Sequence, residues 1–336
     1  RHDLFQRMAT DRLARHIVCS ACGLQLAEGL QRGVLGCPVC YDSFTDHLPN
    51  VLRGIQPGLR HRGKMPSRDA SREQLHMQLQ TKRALLRSAL KTENYEDAAR
   101  LRDEIKGLEL TLNSGRPIRA EHLMLETLLE KKARWLSGEG PEADIVIESG
   151  GTLARNLADL PFPGQASDDE LHNVLDRVLG AMEGHDIFRA GQFFMVEHLE
   201  PRVVRFLVER RLITPDMERA RGPRGVWLSD DQAFSVMVNG RDHVRLQVRS
   251  AGFNVDEVWT RLSHADDLLG NVLDFAFHEK YGYLSASVSE VGTGFGLFAL
   301  AHLAGLAMSN RVLAESEKAR ESGHRIEGLF GPVSEG

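Results

Sequence analysis

Nowhere in the 336 residues do 18 apolar residues run together, so no transmembrane helix is predicted. The opening "RHDLFQRMAT" lacks the apolar core of a signal peptide, and a start at Arg1 rather than Met raises the expectation of residues upstream. A cytoplasmic protein is therefore expected. Positive charge is not in excess: 42 Lys and Arg face 47 Asp and Glu, net -5, which argues against nucleic-acid binding by the whole chain. The fourteen histidines form no H-x-x-x-H or H-E-x-x-H pair with a third ligand, so no histidine-based metal centre is predicted. Single ones such as His243 and His302 read as structural, and no Ser/His/Asp set stands out. Cysteine is scarce too. There are four, all between Cys19 and Cys40, which excludes a disulfide framework along the chain.

What is present is the composition of a globular protein, 42% hydrophobic and 26% charged, with length for about two domains. The cysteines form two C-x-x-C pairs, "CSAC" (Cys19, Cys22) and "CPVC" (Cys37, Cys40), with fourteen residues between them. Each pair turns two thiolates toward one point, and two pairs complete the tetrahedral shell that Zn²⁺ prefers. The spacing predicts a closed structural zinc module over residues 17–48. A closed shell leaves no position for catalysis.

Residues 49–71, with "LRGIQPGLRHRGKMPSRDASR", read as an irregular linker. Helical periodicity follows over 72–114. Leu75, Leu79, Leu86 and Leu90 share one face; after "KTEN", Ala98, Leu101, Ile105, Leu108 and Leu112 recur at alternating spacings of three and four. An antiparallel helical hairpin is predicted. From 60 to 134 there are 17 basic and 11 acidic residues, but the signs are interleaved and aromatics for base stacking are almost absent. That pattern favours a solvated face over nucleic-acid contact.

The stretch "ENYEDAARLRDEIKGLE" resembles the UVR motif, a protein-docking hairpin of excision-repair nuclease subunits and of the zinc-binding (McsA-like) activators of bacterial protein arginine kinases. Tyr95, Glu96, Ala98, Ala99, Leu101, Arg102, Asp103, Ile105 and Leu108 carry the match. The resemblance implies partner contacts through Tyr95, Glu96, Arg102 and Asp103. "CSACGLQLAEGLQRGVLGCPVCYDSF" with "LRGI" and "HRGKMP" is similar to the zinc segment of that activator family, so residues 17 to about 112 look like one activator half with a single zinc module.

Beyond Trp135, strand-like "DIVIE" runs to a Gly-Gly break. Helices are expected over Asp168–Met182 and around Glu200–Arg211, and strands at "GVWLS" and "AFSVMVN". "HVRLQVR" alternates apolar and polar residues as a half-buried strand, and "VDEVWTRLSHADDLLGNVLDFAF" has helical periodicity. "LSASVSEVGTGFGLFALAHLAGLA" reads as a short β-like run, a glycine turn and then an apolar helix. Gly292-x-Gly294 does not match the dinucleotide fingerprint, and too few residues follow for the remaining βαβ units.

"WLSGEGPEADIVI", "LARNLADLPFP", "GVWLSDDQAFSVMVN", "DHVRLQ", "FAFHEKYGYL", "VGTG" and "GLFG" resemble the McsB-like protein arginine kinases, members of the ATP:guanido phosphotransferase family. The likeness runs over residues 133–336. The fold class expected is therefore α+β: a four-cysteine zinc knuckle, a UVR hairpin, and a guanido-kinase-like antiparallel sheet flanked by helices and incomplete at its C-terminus. The order reads as a fusion of two partners usually made separately.

Phosphoryl transfer in this family rests on cations around the phosphates and a carboxylate on the guanidinium. By resemblance, the first arginine clamp falls on Ser149-Gly150-Gly151-Thr152, which has no arginine. The acidic "NEEDH" becomes Asn239-Gly240-Arg241-Asp242-His243, the family's cysteine becomes Ser287, and the arginine after the glycine turn becomes Gly296. Glu327 stands where another arginine belongs. Arg245 matches a phosphate-binding arginine, Gly292 and Gly294 keep the turn, and Glu335 matches a late carboxylate. One catalytic arginine is worth roughly 10³ to 10⁵ in rate and a general base roughly 10² to 10⁴. Their joint loss predicts a pseudokinase with structural Zn²⁺ and without effective use of ATP and Mg²⁺. The partners implied are a Clp-type unfoldase, an arginine kinase or a stress-response repressor. An active arginine kinase and a DNA-repair accessory protein are the alternatives.

Overall fold

The computed structural model describes residues 17–56, 58–66, 70–92, 94–112, 125–130, 133–324 and 326. The N-terminal module holds three short helices, α1 (Leu26–Arg32), α2 (Val39–Ser43) and α3 (Leu48–Arg53). α4 (Ala70–Lys91) and α5 (Tyr95–Leu112) form the expected hairpin, with Leu79, Ala98, Leu101 and Ile105 buried between them and Lys82 bridging to Glu104 at 2.6 Å. After α6 (Leu125–Glu130) come β1 (Val146–Arg155), α7 (Asp168–Met182), β2 (Gly191–Met195), α8 (Pro201–Glu209), α9 (Pro215–Arg219), β3 (Gly225–Ser229), β4 (Phe234–Val238), β5 (Val244–Ala251) and α10 (Val255–Gly270). β6 (Phe277–His278), β7 (Gly282–Tyr283), β8 (Phe295–Ala301), α11 (Ala304–Met308) and α12 (Val312–Glu321) follow. Among the described residues, no helix is long and apolar enough to cross a membrane.

Six strands form one antiparallel sheet in the order β2-β3-β4-β5-β1-β8. α7 starts where the sequence says it should. Ser167 accepts from the Glu170 amide at 3.3 Å and its own amide donates to the Glu170 carboxylate at 2.8 Å, a complete capping box. Its buried stripe of Val174, Leu175, Val178 and Met182 packs, with Val258, Leu262 and Leu269 of α10, on one side of the sheet. Val203, Val204 and Leu207 of α8 join Met217 on Val226, Leu228 and Met237 to form a second core. The sheet is thus covered on both faces.

That double cover explains one departure from expectation. β5 is not half-buried: Val244, Leu246 and Val248 enter one core, while Gln247 and Arg249 are buried as well. Those polar groups are satisfied, Gln247 by the Arg211 carbonyl at 2.6 Å and Arg249 by the Glu148 carboxylate at 2.7 Å. The Gly-Gly break is a second departure, since Gly150 and Gly151 lie within β1, paired to β5 and β8 at once. The apolar helix after the glycine turn is a third. "FGLFALA" is the edge strand β8, because β1 offers it a full ladder of hydrogen-bonding partners. The predicted helical run "VDEVWTRLSHADDLLGNVLDFAF" ends at Gly270, and the pair His278–Gly282 closes a small hairpin around Glu279, Lys280 and Tyr281.

Candidate functional site

The four thiols converge. All Sγ atoms lie within 4.8 Å of one another; Cys19–Cys37, Cys22–Cys40 and Cys37–Cys40 are 3.6, 3.5 and 3.8 Å apart. Sulfurs held about 2.3 Å from a tetrahedral zinc would stand about 3.8 Å apart, so the cluster fits the ion and is far too open for disulfides. Hydrogen bonding from Cys40, then from Cys22 and Cys19, pulls Cys37 down to about 5. Burial pushes Cys22 up to about 11, and the bond to Cys37 together with burial pushes Cys40 up. Four thiolates in this space need a cation to share their charge.

The zinc module does not stand apart. Tyr41, Phe44, Leu48 and Leu52 share a core with Phe162, Tyr281, Leu284 and Val288. Val34 pairs with Ser287 as an antiparallel bridge, and the Leu35 amide donates to the Ala286 carbonyl at 2.7 Å. The Val288 amide reaches the Gly33 carbonyl at 3.3 Å, and the buried Tyr41 hydroxyl donates to the Ser285 carbonyl at 2.7 Å. The loop 284–291, which carries Ser287 at the position of the family's cysteine, is the floor on which the zinc module sits.

The segment read as a linker continues as a strap over the glycine turn. The His61 amide donates to the Lys280 carbonyl at 2.9 Å, Gly63 packs against Thr293, and Lys64 pairs with Asp266 at 2.9 Å and Asp267 at 2.8 Å. From beneath, Arg155 is fully buried. It forms a two-pronged pair with Asp266 at 2.8 and 2.9 Å, donates to the Thr293 carbonyl at 2.8 Å, and lies 3.5 Å over the Tyr283 ring. Gly294 has φ +65°, and a Cβ there would strike the Ala154 carbonyl oxygen, so only glycine fits. The Gly292 amide is used by the Tyr283 carbonyl at 3.2 Å. The turn keeps its shape but is packed on both sides by the chain itself.

Arg245 is 13% exposed at its side chain and is held by two carboxylates, Glu290 at 2.6 Å and Asp242 at 3.2 Å. Burial disfavours its charge, yet Glu290 and Asp242 more than offset this and its pKa is raised. Arg241 reaches Glu290 as well, at 3.4 Å. Asp242 is a buried hub: it also accepts from Asn156 at 2.6 Å, Ser285 at 3.0 Å and the Ala286 amide at 2.9 Å. The neutral His243 accepts from the Leu157 amide at 3.0 Å, and its Nε2 meets the Pro161 carbonyl at 2.9 Å; burial lowers it to about 4. It is structural, as the sequence suggested.

The positions that resemblance aligns with the arginine clamp are tightly packed by other side chains. A Cβ at Gly150 would collide with the Phe298 ring (2.7 Å from Cε2), and one at Gly151 with Leu262 and Val258 at 2.8 and 2.9 Å. Arg211 lies over the same Phe298 ring, 4.8 Å from its centroid. Gly296, on β8, pairs with Thr152. Glu327 and Glu335 lie outside the described residues. Tyr95, Glu96, Arg102 and Asp103 sit on the exposed side of α5, Tyr95 at 69% exposure. The hairpin docks through α4 instead: Gln80 bonds Asp274, Arg87 donates to the Asp159 carbonyl at 3.1 Å, and Arg83 faces the Asp159 carboxylate at 3.6 Å.

Sequence reasoning missed the Asp242 hub and the Lys64 strap. The retained aspartate of "NGRDH" was a signal for the first; nothing in composition marked the second.

Three family models match. The McsA central zinc-finger domain matches residues 17–63, the UvrB/uvrC motif residues 78–111, and the ATP:guanido phosphotransferase C-terminal catalytic domain residues 173–335. In chain order, successive segments thus match an McsA-type zinc finger, a UVR-type motif and a guanido-phosphotransferase-type catalytic domain. Among curated relatives it is 38% identical over 210 residues to the protein-arginine kinase of Moorella thermoacetica, covering 62% of this chain and 60% of that one. It is also 38% identical over 215 residues to the protein-arginine kinase of Halothermothrix orenii, covering 63% and 61%. The chain thus spans about 60% of the length of these relatives. The duplicated taurocyamine kinase of Schistosoma mansoni, solved with transition-state analogue components, shares the fold at a TM-score of 0.66 and 17% identity, over 100% of this chain and 42% of that one.

Proposed function

We propose that the chain is a zinc-binding regulator or scaffold of bacterial stress response or protein quality control whose kinase-like domain no longer transfers phosphate. The observation that carries this reading is the 2.6 Å pair between Glu290 and Arg245. The one phosphate-binding arginine carried over from the family already holds an internal anion. The backfilled Gly150 and Gly151, and the strap on the glycine turn, support the same reading. In it the domain is a surface: the zinc module sits on the former catalytic loop, and the exposed face of α5, with Tyr95, Glu96, Arg102 and Asp103, is offered to a protein partner in the cytoplasm. By resemblance that partner is a Clp-type unfoldase, an arginine kinase or a stress-response repressor.

Calorimetric titration with ATP·Mg²⁺, followed by incubation with labelled ATP and casein or free arginine, tests the reading. No binding heat and no phosphoarginine are expected. Phosphoarginine as product would overturn it in favour of an active arginine kinase, the activity by which the relatives above are named.

A further inference from the structure

A cavity of about 170 Å³ lies at the seam of the two modules. Arg32 and Gly36 of the zinc module line one side; Gly164, Gln165, Gly240 and Arg241 of the kinase-like domain line the other. Among the described residues, no carboxylate lines it, and Arg245 does not line it either. The chain as a whole is net negative, so a recess lined by two arginines and, among the described residues, by no acid is a local exception.

Both arginines can be recruited at little cost. Arg32 pairs with Glu28, one turn back on the same exposed helix face, at 3.0 Å with both side chains about half exposed. Such pairs contribute little. Arg241 stands 3.4 Å from Glu290, longer than the about 2.7–2.9 Å of a well-made charged hydrogen bond, and is 40% exposed. The two modules meet closely beside it: a Cβ at Gly36 would come within 2.8 Å of Gln165 and 2.9 Å of the Cys22 sulfur. The volume falls well below the about 300–1,000 Å³ of drug-sized ligand sites and suits a single tetrahedral group.

We propose that this seam binds a small oxyanion of the phosphate class, free or at the tip of a phosphorylated side chain, between the Arg32 and Arg241 guanidinium forks. Two forks from different modules present paired N–H donors to separate oxygens of one anion. Bound there, the anion ties the zinc module to the kinase-like domain and stabilises their docking by mass action. The site stands whether or not the domain transfers phosphate.

The test is calorimetric titration of the full zinc-loaded chain with inorganic phosphate and, separately, with a short phosphoserine peptide. Binding is expected, weakened roughly tenfold or more by Arg32→Ala and by Arg241→Ala. Glu28→Gln should tighten it, because it releases Arg32; a merely structural role for Arg32 predicts no gain. Preference for the peptide assigns a chain-borne phosphoryl group, and equal or better binding of phosphate assigns the free ion. Zinc content and melting temperature confirm that each variant is folded. Absence of heat with both ligands overturns the proposal. So does binding lost only in Arg245→Ala, which would place the anion in the family's phosphate position. Phosphoarginine formed from ATP would sink the regulatory reading and leave this site standing.

Discussion

Glu290 Oε2 lies 2.6 Å from Arg245 Nη2, and Asp242 holds the same nitrogen at 3.2 Å. An arginine suited to a phosphate oxygen therefore has its charge matched from within. Glu290→Gln removes one of the two carboxylates but leaves Arg245 its buried Asp242 partner. With Glu290 about one-third exposed, the expected loss of stability is only about 1 kcal/mol. The functional effect should be larger: ATP·Mg²⁺ binding, expected to be negligible in the parent, should become measurable by calorimetry. Phosphoarginine should still not form, because the clamp arginines are absent. Unchanged, negligible nucleotide binding by a folded Glu290→Gln variant would show that this carboxylate is not what closes the site.

The clamp cannot be restored by one substitution. Gly150→Arg must displace the Phe298 ring, so it should cost about 2–3 kcal/mol in urea unfolding through overpacking and lost strand pairing. Phe298→Ala alone should cost a similar amount by leaving a cavity. Because the two side chains compete for one volume, the double variant should be more stable than the sum of the single losses by at least about 1 kcal/mol. Simple additivity would show that Phe298 does not occupy the clamp position.

How much of this was legible depends on whether the cause was local. The C-x-x-C pairs name their own geometry, and Ser167 with Glu170 marks the start of α7 to the residue, since a capping box needs nothing beyond four positions. "FGLFALA" misled because a short apolar run does not reveal its period; the hydrogen-bonding groups of β1, over 140 residues away in sequence, made it a strand. Arg249 looked like an outward-facing residue of β5 because its partner Glu148 lies on β1. The likeness to guanido kinases pointed to Gly150 and Gly151, but only the fold shows Phe298 packed against Gly150.

Zinc should matter to the kinase-like loop as well as to the knuckle. The Val288 and Phe162 amides are bonded to the Gly33 and Gly36 carbonyls, which hang between the two cysteine pairs. Chelation leaves four crowded thiols with nothing to hold them together. Hydrogen exchange should then quicken at Leu35, Phe162 and Val288 while the amides of β3 and β4 keep their protection. Cys37→Ser should act alike. Full protection of Val288 after zinc removal would uncouple the two modules.

His243 sets a pH dependence whose sign follows from its burial. Its folded-state value, lowered to about 4, lies below the ordinary 6.5, so the unfolded chain takes a proton that the folded one refuses. The contribution is complete above pH 6.5 and is lost as the pH falls toward 4. Over that window it amounts to about 3 kcal/mol, at about 1.4 kcal/mol per pH unit. His243→Gln keeps an acceptor and a donor near Leu157 and Pro161 but cannot titrate. Imperfect geometry should lower its stability at pH 7, while its slope between about pH 6 and pH 4.5 should be shallower than the parent's by about 1 kcal/mol per unit. Acid release of zinc is common to both proteins and cancels in the difference. Parallel slopes in urea unfolding would mean that His243 is protonated in the folded state.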